Sequence, residues 1–272
     1  MPSAPYFEYH SFPNGDAPFT GNPAGVCFLD AFPDDAALLG IAASNNHPET
    51  SFLVKDDAGA ASWRLRWFTP AVEVDLCGHA TLAAAEALFD RGDAGGDGIL
   101  FETRSGPLRV ERRGDDLEMS FPALRFETID VERDVLAAIG HGGGAAEMFE
   151  VEQVHGARFC IVALEAEADV RALQPDFAAL TRARVNIVAT APGEASDIAS
   201  RFFAPACGVD EDPVTGSAHC ALAPFWAERL GRQRIAARQV GPRPGALQLE
   251  MRGDRVALIG RARKYLEGRV VF

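Results

Sequence analysis

The chain has 272 residues, enough for one large domain or two ordinary ones, and its 47% hydrophobic and 24% charged residues fit a soluble globular protein. A formal charge of −13 argues against nucleic-acid partners, because phosphate contacts need Lys and Arg; a carboxylate ligand would likewise need local donors in the site. The N-terminus lacks the basic and apolar regions of a signal peptide, and no run is long and apolar enough to span a bilayer. Five cysteines without CxxC spacing fit reduced thiols, so a cytoplasmic protein away from membranes is expected.

In chain order, residues 24–29 read as a strand bounded by Gly, Pro and Asp. A helix over 34–43 follows, opened by Pro33 and Asp34. Residues 51–54 and 61–68 read as strands. A second helix over 81–90 places Leu82, Ala85 and Phe89 on one face, with Gly92 past its end. Residues 108–111 and 117–121 read as strands, and Asp115-Asp116 and the run His141-Gly142-Gly143-Gly144 as loops. A helix from near Ser217 to Leu230 is stopped by Gly231. Strands mixed with isolated helices predict an α+β fold.

The chain also repeats itself. Residues 21–30 read GNPAGVCFLD and residues 156–165 read GARFCIVALE, an offset of 135. The same offset pairs Asp34 with Asp169, Leu38 with Leu173, and Arg66-Trp67-Phe68-Thr69-Pro70 with Arg201-Phe202-Phe203-Ala204-Pro205. A three-residue insertion then matches Gly78 with Gly216 and Ala80 with Ala218. Two halves are therefore predicted, 1–122 and 123–272, with the final strand free to return to the first. Facing copies of a duplicated domain would enclose a cleft, a preferred kind of ligand site.

Each half carries a Gly-led helix start, at Cys77-Gly78-His79 and at Thr215-Gly216-Ser217. Glycine admits a ligand close to the backbone, and the unbonded N–H groups of a helix start attract a carboxylate. Both starts, Ser217 included, also fit ordinary N-caps; their duplication favours the ligand site. Read alone, Glu49 is one of 39 acidic residues and fits a solvated loop, and Asp212 before Pro213 fits an Asx turn. Asp75, Asp210 and Glu211 read as turn or surface charges. No GxSxG elbow, HxH or HExxH spacing, GxGxxG fingerprint or Walker loop occurs, so neither a metal nor a nucleotide cofactor is expected.

The segments Gly21-Asn22-Pro23-Ala24-Gly25-Val26, Glu49-Thr50-Ser51-Phe52, Leu76-Cys77-Gly78-His79-Ala80-Thr81 and Gly208 through Ser217 resemble, in the same order, those of the phenazine-biosynthesis isomerase (PhzF-like) family. The resemblance implies a fold like diaminopimelate epimerase: two pseudo-symmetric domains, each a mixed sheet wrapped around a central helix. It also implies cofactor-free acid/base isomerisation of a small carboxylate metabolite and often a homodimer. Carried over by position, Glu49 matches the proton-abstracting residue, Asp212 a second catalytic carboxylate, and Gly78 and His79 the first helix start. Ser217, with Thr215 and Gly216, matches substrate contacts at the second. Asn22 either contacts substrate or fixes the loop around Gly21 and Pro23, the latter being favoured.

Related racemases use a cysteine at each helix start; here those positions hold Cys77 and Thr215. Cys77 is therefore either the thiol of an amino-acid epimerase or dehydratase, or a small buried apolar group. Cys207 and Cys220 are expected to pack. A catalytically silent metabolite-binding protein is the third reading.

Overall fold

The computed structural model describes residues 1–56, 62–94, 96–154 and 157–272; Gly156 of the expected repeat and Ala61 of an expected strand lie outside them. Two compact units emerge, one of Met1–Ser120 with Ile259–Phe272 and the other of Phe121–Leu258. Residues 259–272 group with the first unit. The reason is register: β18 (Ala262–Val271) pairs antiparallel with β1 (Ser3–Ser11), from Ser3 opposite Val271 to Ser11 opposite Ala262.

In the first unit β1 also pairs antiparallel with β2 (Asn22–Leu29), and β2 runs parallel to β3 (Glu49–Lys55). β4 (Ser62–Phe68) lies antiparallel to β3, carries the short β5 (Glu73–Val74), and runs parallel to β6 (Gly98–Thr103). Antiparallel pairing continues through β7 (Gly106–Arg113) to β8 (Asp116–Pro122). A parallel step needs a crossover. Here the two crossovers are α1 (Asp35–Asn45) between β2 and β3 and α2 (Gly78–Arg91) between β4 and β6.

The second unit repeats this order of directions. After β9 (Phe126–Ile129) and a short α3 (Arg133–Ala138), β10 (Ala146–Val154) is antiparallel to both β9 and β11 (Ala157–Leu164). β11 runs parallel to β12 (Val185–Pro192) across α4 (Glu167–Ala172) and α5 (Phe177–Ala183). β13 (Ile198–Ala204) is antiparallel to β12, carries β14 (Val209–Asp212), and runs parallel to β15 (Arg234–Gln239) across α6 (Gly216–Leu230). β16 (Gly245–Arg252) then pairs antiparallel with β15. β2 and β11 sit at the offset of 135 read from the sequence, and α2 and α6 both begin at the glycines it matched.

α1 starts one residue after its expected cap: the Asp34 carboxylate accepts from the Ala37 N–H at 2.8 Å, and Asn46 ends the helix in the left-handed region. α2 begins three residues before its expected start, and its one-faced pattern does not hold. His79 through Ala85, Ala87 and Leu88 are all buried, while Phe89 is half-buried. A helix apolar on every side belongs in the middle of a domain, and the five alanines at 80, 83, 84, 85 and 87 let strands approach it closely. α6 is the counterpart, buried from Ala218 to Ala223 and at Phe225 to Ala227. Gly92 and Gly231 close the two helices in the left-handed region, as the sequence suggests.

On the α1 side of the sheet, Phe52 stands edge-on to Phe68 at 5.6 Å between ring centres, in a buried cluster with Leu38, Ile41 and Ala42. In the second unit Phe149 packs on Phe225 at 5.1 Å. Gly21 turns the chain into β2 at φ +81°, where a Cβ would stand 2.5 Å from the Ser11 carbonyl oxygen, so no other residue fits. Among the described residues no helix is long and apolar enough to cross a membrane.

Candidate functional site

In the first unit the start of α2 is held by hydroxyl groups. Thr81 Oγ1 donates to the Cys77 carbonyl at 2.6 Å, Ser11 Oγ from β1 to the His79 carbonyl at 2.7 Å, and Ser51 Oγ from β3 to the Ala80 carbonyl at 2.9 Å. Cys77 is the extended N-cap residue, and its side chain makes no capping bond to the first-turn N–H groups. These anchors fix the backbone from which His79 projects. Its Nδ1 lies 3.5 Å from Cys77 Sγ, and its Nε2 lies 3.2 Å from Glu49 Oε2. The second approach is close without being aligned as a hydrogen bond.

Glu49 is the first residue of β3, and its side chain is 15% exposed, not the solvated loop carboxylate its isolated sequence context suggests. Burial holds the His79 ring down at about 3, with the Pro23 carbonyl offsetting this only in part. The ring is therefore neutral near pH 7, and Glu49 faces a neutral imidazole rather than a cation. Asn22 is fully buried at the first residue of β2, opposite Ser11. A surface recess lined by Phe32, Arg64, Arg66 and Glu73 includes none of these residues.

The second unit builds its helix start differently. Thr215 is the N-cap residue of α6, and its hydroxyl donates to Asp212 Oδ2 at 2.5 Å. Ser217 is the second residue inside the helix and half-buried, so the N-cap role belongs to Thr215. Gln239, buried on β15, clamps the segment from behind: its amide donates to the Asp212 carbonyl, and its Oε1 accepts from the Thr215 N–H at 3.0 Å. His219 Nδ1 bonds the Thr215 carbonyl at 2.7 Å, the task Thr81 performs in the first unit. Glu211 is not the surface charge expected from its sequence. It receives Arg201 bidentately at 2.7 and 2.8 Å, and Arg201 is itself buried. Cys220 is buried as expected, whereas Cys207 is exposed because it ends a short turn before Gly208.

Strand register shows where the copies diverge. Glu49 stands opposite Ala24, and at the offset relating β2 to β11 the matching place opposite Phe159 holds Asn186. The N-cap thiol Cys77 is likewise answered by Thr215. Each of these two groups therefore exists once per chain at its repeated position.

Burial also holds the His219 ring neutral, at about 4. In the unfolded chain both rings return to about 6.5, so below that pH the unfolded state binds more protons and folding stability falls. The loss develops as pH drops from about 6.5 towards 4 for His219 and 3 for His79, at up to about 1.4 kcal/mol per pH unit for each ring. Urea titrations at several pH values between 7 and 4 should show this slope, and His219→Gln should flatten it. An unchanged slope in that variant would reject the assignment.

Solved structures place this architecture in a class. A PhzF-family structure from Enterococcus faecalis aligns with TM-score 0.88 at 36% identity, covering 100% of both chains. A hydroxyproline epimerase from Agrobacterium vitis shares the fold at TM-score 0.59 and 12% identity, covering 98% of this chain and 92% of that one. The protein is thus an α+β protein of the epimerase-like fold, with two pseudo-symmetric units. It belongs to the phenazine biosynthesis-like (PhzC-PhzF) family, whose model matches residues 14–268. A relative from Pseudomonas aeruginosa, named an uncharacterized isomerase, is 47% identical over 263 residues, or 96% of each chain. A human phenazine biosynthesis-like domain-containing protein is 35% identical, covering 92% of this chain and 93% of its own.

Proposed function

We propose that the protein is a cofactor-independent isomerase that moves a proton on a small carboxylate metabolite, with Glu49 as the base. The observation that carries this reading is the placement of the Glu49 carboxylate against a neutral, buried His79 ring at the start of α2. Glu49 breaks a C–H bond next to an unsaturated or carbonyl-conjugated centre and holds the proton. It then delivers the proton to another carbon of the same molecule, so the reaction is redox-neutral and needs no co-reactant. N–H groups at the helix start led by Gly78 suit the substrate carboxylate and the charge that develops beside it. A neutral His79 borders the base without clamping it in an ion pair, which would weaken it. Asp212 is proposed as the second catalytic carboxylate, with Thr215 and Ser217 as substrate contacts.

A thermal-shift screen of small carboxylates, followed by incorporation of deuterium from D2O into the best ligand, tests the reading. A true ligand that never exchanges a carbon-bound hydrogen would reject it and leave a binding protein.

A second reading rests on the 3.5 Å contact between Cys77 Sγ and His79 Nδ1: the thiol acts as the acid or base of an epimerase or dehydratase. Thr215 at the repeated position denies it a symmetric partner. Substrate-protected inactivation by iodoacetamide together with a dead Cys77→Ser variant would favour this reading over the first.

A further inference from the structure

Among the described residues, Glu49, Cys77 and His79 bring a carboxylate oxygen, a thiol sulfur and a ring nitrogen within 4.8 Å of one another. No spacing motif announces the set, because β3 supplies one member and the start of α2 the other two. A tetrahedral zinc ion, with Zn–S of about 2.3 Å and Zn–N of about 2.0–2.1 Å, holds sulfur and nitrogen about 3.5–3.6 Å apart. The measured separation of Cys77 Sγ and His79 Nδ1 is 3.5 Å, so these two groups already span that edge. An imidazole ligates one ion through one nitrogen, so with the ion at Nδ1 the Glu49 carboxylate, 3.2 Å from Nε2, must swing around the ring edge to join as third ligand.

A second His-carboxylate cluster among the described residues of this unit is built otherwise. Glu8 lies between His10 at 3.0 Å and His47 at 3.4 Å, so its carboxylate fills the centre where an ion would sit.

We propose that Glu49, Cys77 and His79 form a binding site for a soft divalent cation such as Zn²⁺ or Cd²⁺, with water as the fourth ligand. One sulfur, one imidazole and one carboxylate select such ions over Mg²⁺ and Ca²⁺, which take oxygen ligands. As the metal–sulfur bond forms, the thiol proton leaves to solvent. The bound ion also takes the Glu49 carboxylate out of proton transfer. Inhibition therefore rests on Glu49 being the base, whereas binding does not.

The test reads binding on the whole chain. Equilibrium dialysis should give one Zn²⁺ per chain, and titration with Cd²⁺ should raise an ultraviolet thiolate-to-cadmium band that Zn²⁺ displaces. Cys207→Ser, which removes the exposed thiol, should keep the band, and Cys77→Ser should lose it. Should Cys77→Ser fail to fold, Glu49→Gln decides: its Zn²⁺ affinity should drop at least about tenfold, the loss typical even for groups that only orient a ligand. No band in the wild-type protein, a band that follows Cys207, or full affinity in Glu49→Gln would overturn the site.

Discussion

Glu49→Gln will stop exchange of the substrate's carbon-bound hydrogen with D2O, lowering turnover by about 10²- to 10⁴-fold, while the urea midpoint stays close to wild type. The chemical half of this expectation follows from size and charge: the amide fills the same space and keeps a hydrogen-bonding oxygen, but it cannot take a proton. The structural half follows from the neighbouring ring. Deleting a carboxylate beside a buried cation strands a charge, but burial keeps His79 neutral, so no unpaired cation is left behind. Mass spectrometry of substrate recovered from D2O reads the first half and a urea titration the second. Unchanged turnover would remove Glu49 from the chemistry.

Arg201→Met should be the most damaging single change to stability, costing about 3–5 kcal/mol. The Arg201 side chain is 8% exposed, pairs bidentately with Glu211, and donates to the carbonyls of Val170 and Leu173 at 3.3 and 2.8 Å. Methionine fills part of the volume but leaves the Glu211 carboxylate, 15% exposed, without its bidentate Arg201 partner. The repeat supplies an internal control. Arg66 meets Glu73 in the same bidentate manner, yet it is 22% exposed, and Glu73 also holds Arg104 at 2.5 Å. Arg66→Met should therefore cost clearly less. Urea titration of both variants checks the ranking, and Arg201→Met combined with Glu211→Leu should recover much of the loss. Equal losses at the two arginines would show that burial does not set the difference.

The matched ion pairs show how far the sequence could be read. Arg66 and Arg201 stand out as a repeat pair at one offset, and Glu73 and Glu211 match at the larger offset that aligns Gly78 with Gly216. The signal for the second clamp was present, but a charge next to Asp210 and Asp212 looks solvated until a strand is seen beneath it. The central helices were legible as helices through their glycine stops. Their complete burial was not, because alanine carries almost no hydrophobic pattern and only packing shows which sides are covered. Gln239 could not be found from sequence: it lies 24 residues beyond Thr215, and only the β13–β15 crossover returns it to the helix start. Asn186 needed strand register, since pairing alone identifies it as the counterpart of Glu49.

The pairing of β1 with β18 carries a consequence for biogenesis. Residues 3–11 are made before the second unit, yet their outer neighbour at 262–271 is made after it. The unit spanning 121–258 is continuous, so its strands are all synthesised before the earlier unit can be closed. Order of manufacture and order of completion are thus reversed. Until residues 262–271 are made, the nascent sheet of the first unit presents an open edge, the kind of surface on which chaperones and misassembly compete.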